Sequence, residues 1–156
     1  MSLRQAAFSR SFKKSEHFYN LRTTPPVSCL GHCSEQPMDT FHPNGQLKAR
    51  YDYKDGRLDG PLLVFYENGL MESKRFYKDG ELEGVLETYY DNGQLKSRGI
   101  YKRGNKIGAS ERFHPNGRLR AKNHYRDGKL DGIHEIYHTN GDLRYRGRFK
   151  KGVPVI

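Results

Sequence analysis

Residues 41–60 read FHPNGQLKARYDYKDGRLDG. The phrase returns as YENGLMESKRFYKDGELEG at 66–84, as YDNGQLKSRGIYKRGNKIG at 90–108 and as FHPNGRLRAKNHYRDGKLDG at 113–132. The turns recur while the charges between them drift. Asn44-Gly45, Asn68-Gly69, Asn92-Gly93, Asn116-Gly117 and Asn140-Gly141 are each 24 residues apart. A second glycine keeps step at Gly56, Gly80, Gly104, Gly128 and Gly152, and a third at Gly60, Gly84, Gly108 and Gly132. Aromatic columns run Tyr53, Tyr77, Tyr101, Tyr125, Phe149 and Phe65, Tyr89, Phe113, Tyr137. An apolar column follows each Asn-Gly at Leu47, Met71, Leu95, Leu119 and Leu143.

Asn-Gly between alternating segments is the strongest short signal for a hairpin, and it predicts a two-residue type I′ turn with positive φ at both central residues. Asp-Gly at 55–56, 79–80 and 127–128 marks the return turn. Each unit is therefore two strands. The array is an all-β, elongated antiparallel meander of roughly nine or ten strands of six to eight residues. Glycine at this density excludes helix. Residues 1–40 carry none of the columns and read as a flexible basic tail and linker, with TTPPVS at 23–28. Residues 41–156 form the repeat domain.

Composition agrees with a thin sheet. The hydrophobic fraction is only 34%, too low for a thick core, yet 11 Tyr and 8 Phe argue against disorder. A formal net charge of +10 attracts anionic surfaces without choosing among them. The two cysteines, Cys29 and Cys33, flank His32 in CLGHC; no second ligand pair follows, so neither metal nor cofactor is expected. Such thiols suit a reducing, cytoplasmic setting. No apolar run approaches the roughly 20 residues needed to span a bilayer. MSLRQAAFSRSFKKS at the start has a faint transit-peptide composition, and a solvated basic tail is the simpler reading.

The phrases YKDGRLDG (53–60), YKDGELEG (77–84) and YRDGKLDG (125–132), each following Asn-Gly, resemble MORN repeats. They are closest to the variant found in bacterial antitoxin-module proteins and in some large DNA viruses. That resemblance covers residues 41–152. It implies a β-meander rod serving membrane, lipid or protein association, and the antitoxin relatives imply a partner toxin. The third unit, YKRGNKIG, departs from the pattern at Arg103 and Lys106.

Alternation after each Asn-Gly separates two faces. Leu47-Ala49-Tyr51-Tyr53 and Leu119-Ala121-Asn123-Tyr125 are apolar or small and suit packing. Lys96-Arg98-Ile100-Lys102, Arg120-Lys122-His124-Arg126 and Arg144-Arg146-Arg148-Lys150 make the other face basic. A two-residue loop would set Glu87 opposite Arg98, Glu111 opposite Lys122 and Glu135 opposite Arg146, so part of this charge neutralises itself. Lys54, Lys78, Lys102, Arg126 and Lys150 have no acidic column opposite. With Phe65, Tyr89, Phe113, Tyr137, Arg146 and Arg148 they form the candidate binding face, suited to a protein partner. The open terminal strands are a second route to such a partner, or to self-association. Anionic lipid or nucleic acid is the alternative ligand of the Lys/Arg columns. No HExxH, GxSxG, GxGxxG or Walker motif occurs, and the recurring acids are turn residues, so catalysis is not expected.

Overall fold

Two kinds of turn reverse the chain at opposite ends of each unit, and their chemistry is not the one expected. A computed structural model describes residues 37–155. At the Asn-Gly turns only the glycine takes positive φ, for example Gly45 at 85° and Gly93 at 83°, while no asparagine does. The two-residue type I′ assignment for these turns is therefore corrected to a three-residue loop. The Gly45 amide donates to His42 O at 2.9 Å, and the His42 amide donates to Gln46 O at 2.8 Å. The cause is local. Proline at 43 and 115 holds φ near −65°, and the asparagine side chain accepts from the amide two residues on, as Asn92 Oδ1 does from Gln94 N at 3.0 Å. Type I′ geometry is found instead at the return turns. There both residues are left-handed, as at Asp55 (49°) and Gly56 (75°), and likewise at Arg103-Gly104 and Lys151-Gly152.

Between the turns run β1 (Met38–Phe41), β2 (Leu47–Lys54), β3 (Arg57–Phe65), β4 (Met71–Lys78), β5 (Glu81–Leu82) and β6 (Gly84–Tyr89). They are followed by β7 (Leu95–Lys102), β8 (Asn105–Phe113), β9 (Leu119–Arg126), β10 (Lys129–Tyr137), β11 (Leu143–Lys150) and β12 (Val153–Val155). Every pairing is antiparallel and the order is sequential, with β5 appended to β4. The strands number twelve rather than nine or ten because one return strand is split into β5 and β6, and short strands are added at both margins. The full strands reach eight or nine residues. β1 lies across the expected boundary at residue 40, and the rest of the expected tail, with Cys29 and Cys33, lies outside the described residues. No helix among the described residues is long and apolar enough to cross a membrane.

Each unit carries two irregularities in register. Beside the Asn-Gly turn, Tyr89 faces Leu95 but Thr88 faces Ser97, so Lys96 is bulged out. This extra residue cancels the extra loop residue, and Glu87↔Arg98, Glu111↔Lys122 and Glu135↔Arg146 are paired as expected. The second irregularity is at the third glycine column, where Tyr51 faces Leu62 but Tyr53 faces Leu58. Gly60 has φ 122°, and a Cβ there would lie 2.9 Å from Asp52 Oδ2, so both conformation and space require glycine.

A single sheet has no second layer to bury a face. Ala121 is the one buried hydrophobic side chain among the described residues, accompanied by Ser73, Ser110 and Asn123. Stability must therefore come from neighbour-to-neighbour contacts along the array. Across the tight turns Tyr53 meets Leu58, Tyr77 meets Leu82 and Tyr125 meets Leu130; Lys106 takes the leucine's place opposite Tyr101.

Two further ladders join successive units. At the Asn-Gly end Tyr66 and Tyr90 donate their hydroxyls to Tyr89 O and Phe113 O at 2.7 and 2.8 Å. His42 and His114 do the same through Nε2 to Phe65 O and Tyr137 O. Asn44, Asn68 and Asn116 donate to Glu67 O, Asp91 O and Thr139 O. At the other end the Gly80, Gly104, Gly128 and Gly152 amides donate to the carbonyls of Leu58, Leu82, Lys106 and Leu130, just beyond the preceding tight turn. There Asp59, Glu83 and Asp131 accept from the amides of Asp79, Arg103 and Lys151.

Candidate functional site

The basic face resolves into bands that run across the strands. Lys54, Lys78, Lys102, Arg126 and Lys150 all stand exposed at strand ends beside the tight turns. None is in an ion pair among the described residues. Their partners across the turns are Arg57, Glu81, Asn105, Lys129 and Val153, so Glu81 is the single acid opposite and Arg57 and Lys129 add charge. The sequence reading had left Arg57 and Lys129 out of the band.

The next band is apolar and was also missed. Phe76, Val85, Ile100 and Ile133 are 46%, 47%, 39% and 46% exposed. Register sets Pro61 opposite Phe76, Val85 opposite Ile100, and Ile133 opposite Arg148. These residues lie between the charged columns singly in each strand. Their number becomes visible only when the strands are laid side by side. Phe76, Val85 and Ile100 follow one another on β4, β6 and β7, whereas Ile133 stands apart between His124 and Arg148. Exposed apolar surface on a charged face is a candidate interaction site.

Beyond it lies a row in which charge cancels. Arg50, Lys74, Arg98, Lys122 and Arg146 are interleaved with Asp39, Glu87, Glu111 and Glu135, five bases against four acids. Arg50–Asp39, Arg98–Glu87 and Arg146–Glu135 close to 2.7, 2.9 and 3.3 Å. The hydrogen bond from Arg50 holds the Asp39 carboxyl below its ordinary value. Burial pushes the Glu87 carboxyl upward, but hydrogen bonds from Tyr89 and Arg98 together bring it below its ordinary value. Arg146 is therefore committed to Glu135, whereas Arg148 stands exposed opposite Ile133.

The aromatic column Phe65, Tyr89, Phe113 and Tyr137 is half-buried at the Asn-Gly end. Tyr89 and Tyr137 donate to Glu87 and Glu135 at 2.9 Å. Burial raises the Tyr89 phenol, and the bond to Glu135 raises that of Tyr137. The column shares the basic face with the free lysines but is not interleaved with them. Roughly six strand residues, about 20 Å, separate the two. Asn44, Asn68, Asn92, Asn116 and Asn140 and their glycines form the turns beyond.

Both sheet margins are short. β1 has four residues, and β12 has three with Pro154 at its centre. Short edges and proline discourage strand addition.

A family model described as MORN repeat variant matches residues 40–55, 58–79, 82–103, 106–127 and 130–151. The breaks between matches fall at the tight turns. No curated protein matches the chain. Five tandem matches covering nearly all the described residues place the chain in that family: it is a MORN repeat variant protein, of a non-catalytic repeat class that scaffolds protein or membrane-lipid interactions.

Proposed function

We propose that this MORN repeat variant protein is a non-enzymatic scaffold that binds a protein partner across its Lys/Arg face. The observation carrying the reading is the apolar band of Phe76, Val85, Ile100 and Ile133 lying beside the unpaired cations Lys54, Lys78, Lys102, Arg126 and Lys150. A partner suited to it presents acidic groups beside exposed apolar side chains. A toxin neutralised by the chain is the partner that the antitoxin-module resemblance implies. Strand addition at the margins is the weaker route, since both edges are blunted.

Nucleic acid, or lipid held by headgroup charge alone, would use the same cations but not the apolar band. The test is a pulldown from lysate at two salt concentrations, with two sets of variants. Lys78→Glu, Lys102→Glu and Arg126→Glu together reverse the cationic band; Val85→Ser and Ile100→Ser together make the apolar band polar. A protein partner is expected to be lost with either set and to survive moderate salt. Retention of all captured material by the serine pair, with full release by salt, would replace the protein reading by the nucleic-acid or lipid one.

A further inference from the structure

The opposite face, which the alternation assigns to packing, is not closed over in the fourth and fifth units. It contains a cleft lined by Arg112, Arg120 and Arg144, by His114, His134 and His138, and by Ala121, Asn123, Ile136 and Thr139, with Tyr137 of the aromatic column at its border. Its floor follows from register. Arg112 on β8 faces Ala121 on β9, and Ala121 faces Ile136 on β10, so a small buried residue lies between two larger ones. Asn123, also buried, accepts from His134 Nδ1–H through its Oδ1 and completes the floor.

The arginines enter the cleft for different reasons. Arg112 belongs to the packing face by alternation. Arg120 and Arg144 are the bulged residues beside the Asn-Gly turns, where Phe113 faces Leu119 but Arg112 faces Ala121, and Tyr137 faces Leu143 but Ile136 faces Tyr145. A bulge redirects a side chain. These two arginines, assigned by simple alternation to the basic face, line the cleft on the other one. The two rims are tied together: Asn116 donates to Thr139 O at 3.0 Å and Arg118 to Asn140 O at 2.5 Å. These bonds fix the spacing of the two turns that bound the cleft.

No carboxylate lines the cleft, and none of its three arginines forms an ion pair among the described residues. This contrasts with the central row of the other face, where acids alternate with bases. Lys106 reports the same imbalance: burial lowers its pKa first, and the charge of Arg112 lowers it further. Arg120 and Arg144 belong to the largely basic bulge column Lys48, Glu72, Lys96, Arg120, Arg144, whereas Arg112 departs from its own column, which carries Val64, Thr88 and Ile136 in other units. Turn residues recur in every unit; this set of cations occurs once.

We propose that the cleft between the fourth and fifth units binds a phosphomonoester dianion, with the forks of Arg112, Arg120 and Arg144 on its oxygens and the rim histidines and Thr139 beside them. Guanidinium is the side chain best matched to phosphate, offering paired donors in one plane. Three of them lining one cleft without a neutralising acid leave the charge that a dianion requires. The site lies on the sheet face opposite the proposed protein-binding band and does not depend on it.

Titration of the full chain with inorganic phosphate and with O-phosphoserine, followed by calorimetry and amide NMR shifts, tests the assignment. Saturable binding is expected, with the largest shifts at residues 112–123 and 134–144. Arg112→Gln with Arg144→Gln should weaken it at least tenfold; Arg112→Lys should recover part of the loss, and the melting temperature checks that each variant is folded. Lys78→Glu, Lys102→Glu and Arg126→Glu on the other face should leave phosphate affinity within about twofold. Vesicles of phosphatidylcholine with and without phosphatidic acid distinguish a headgroup from a free ester. Preference for vesicles at equal phosphate assigns the headgroup as source, and equal binding assigns a soluble ester. Unchanged affinity in the folded glutamine variants, or no saturable binding of either soluble phosphate or phosphatidic acid vesicles, overturns the proposal.

Discussion

Glycine 93 and arginine 103 both occupy the left-handed region, and only one of them suits it. Gly93 has φ 83° with ordinary space around a would-be Cβ, 3.8 Å from Leu70 Cδ1, so conformation rather than collision requires glycine. Gly93→Val is expected to destabilise the array by about 2 kcal/mol or more, since β-branched residues are the least tolerant of positive φ. Arg103 has φ 49° at a place where three other units carry aspartate and the fifth carries Lys151. Asparagine adopts this conformation more readily, and the amide hydrogen bond to Glu83 is backbone-made and survives the change. Arg103→Asn should therefore raise stability by roughly 0.5–1 kcal/mol. Urea midpoints for the two variants measure both effects; a stabilised valine or a destabilised asparagine would contradict the turn geometry.

At the scale of elements, each strand is stabilised by the two beside it, so a marginal strand has measurable work to do only on its inner side. β1 covers β2 from Met38↔Tyr51 to Phe41↔Leu47 and supplies Asp39 to Arg50. Removing residues 1–36 is expected to leave the melting temperature unchanged, as the repeat columns begin beyond them. Removing residues 1–41 uncovers β2 and should lower it by several degrees, with the loss of amide protection concentrated in Leu47–Lys54. Equal melting temperatures for the two truncations would mean that β1 adds nothing to the sheet.

For the whole molecule, the shifted groups set the pH range of stability. Asp39 and Glu87 lie below their ordinary values of 3.8 and 4.5, so the stability they contribute is present above those values and is lost as pH falls through the lower folded ones. Tyr66, Tyr89 and Tyr137 lie above 10.0, so their contribution is complete below pH 10.0 and is lost as pH rises through the folded values. Lys106 lies below 10.5 and acts oppositely, relieving a cost as pH rises toward that value. Melting temperature should be flat between about pH 5 and 9 and fall on both sides. Tyr66→Phe should soften the alkaline fall, because its phenol is raised chiefly by burial. An alkaline limb unchanged by that substitution would remove Tyr66 from the account.

The 24-residue period, the meander and the alternation of faces follow from the sequence alone, because a two-residue side-chain period between repeated turns leaves one way to lay down a sheet. The cross-strand ion pairs were legible for the same reason: at Glu87 and Arg98 the bulge cancels the longer loop, so the register is that of the simpler turn. The identity of each turn was not, because proline and the asparagine side chain compete locally with the type I′ conformation. The hydroxyl ladder of Tyr66 and Tyr90 escaped notice because their column mixes histidine (His42, His114) with tyrosine, and the shared hydrogen-bonding role appears only when the partner carbonyls are located. The apolar band and the arginine cleft depended on tertiary structure outright. The band gathers residues far apart in the chain onto neighbouring strands, and the cleft needs two bulges to turn Arg120 and Arg144 to the side that alternation denies them.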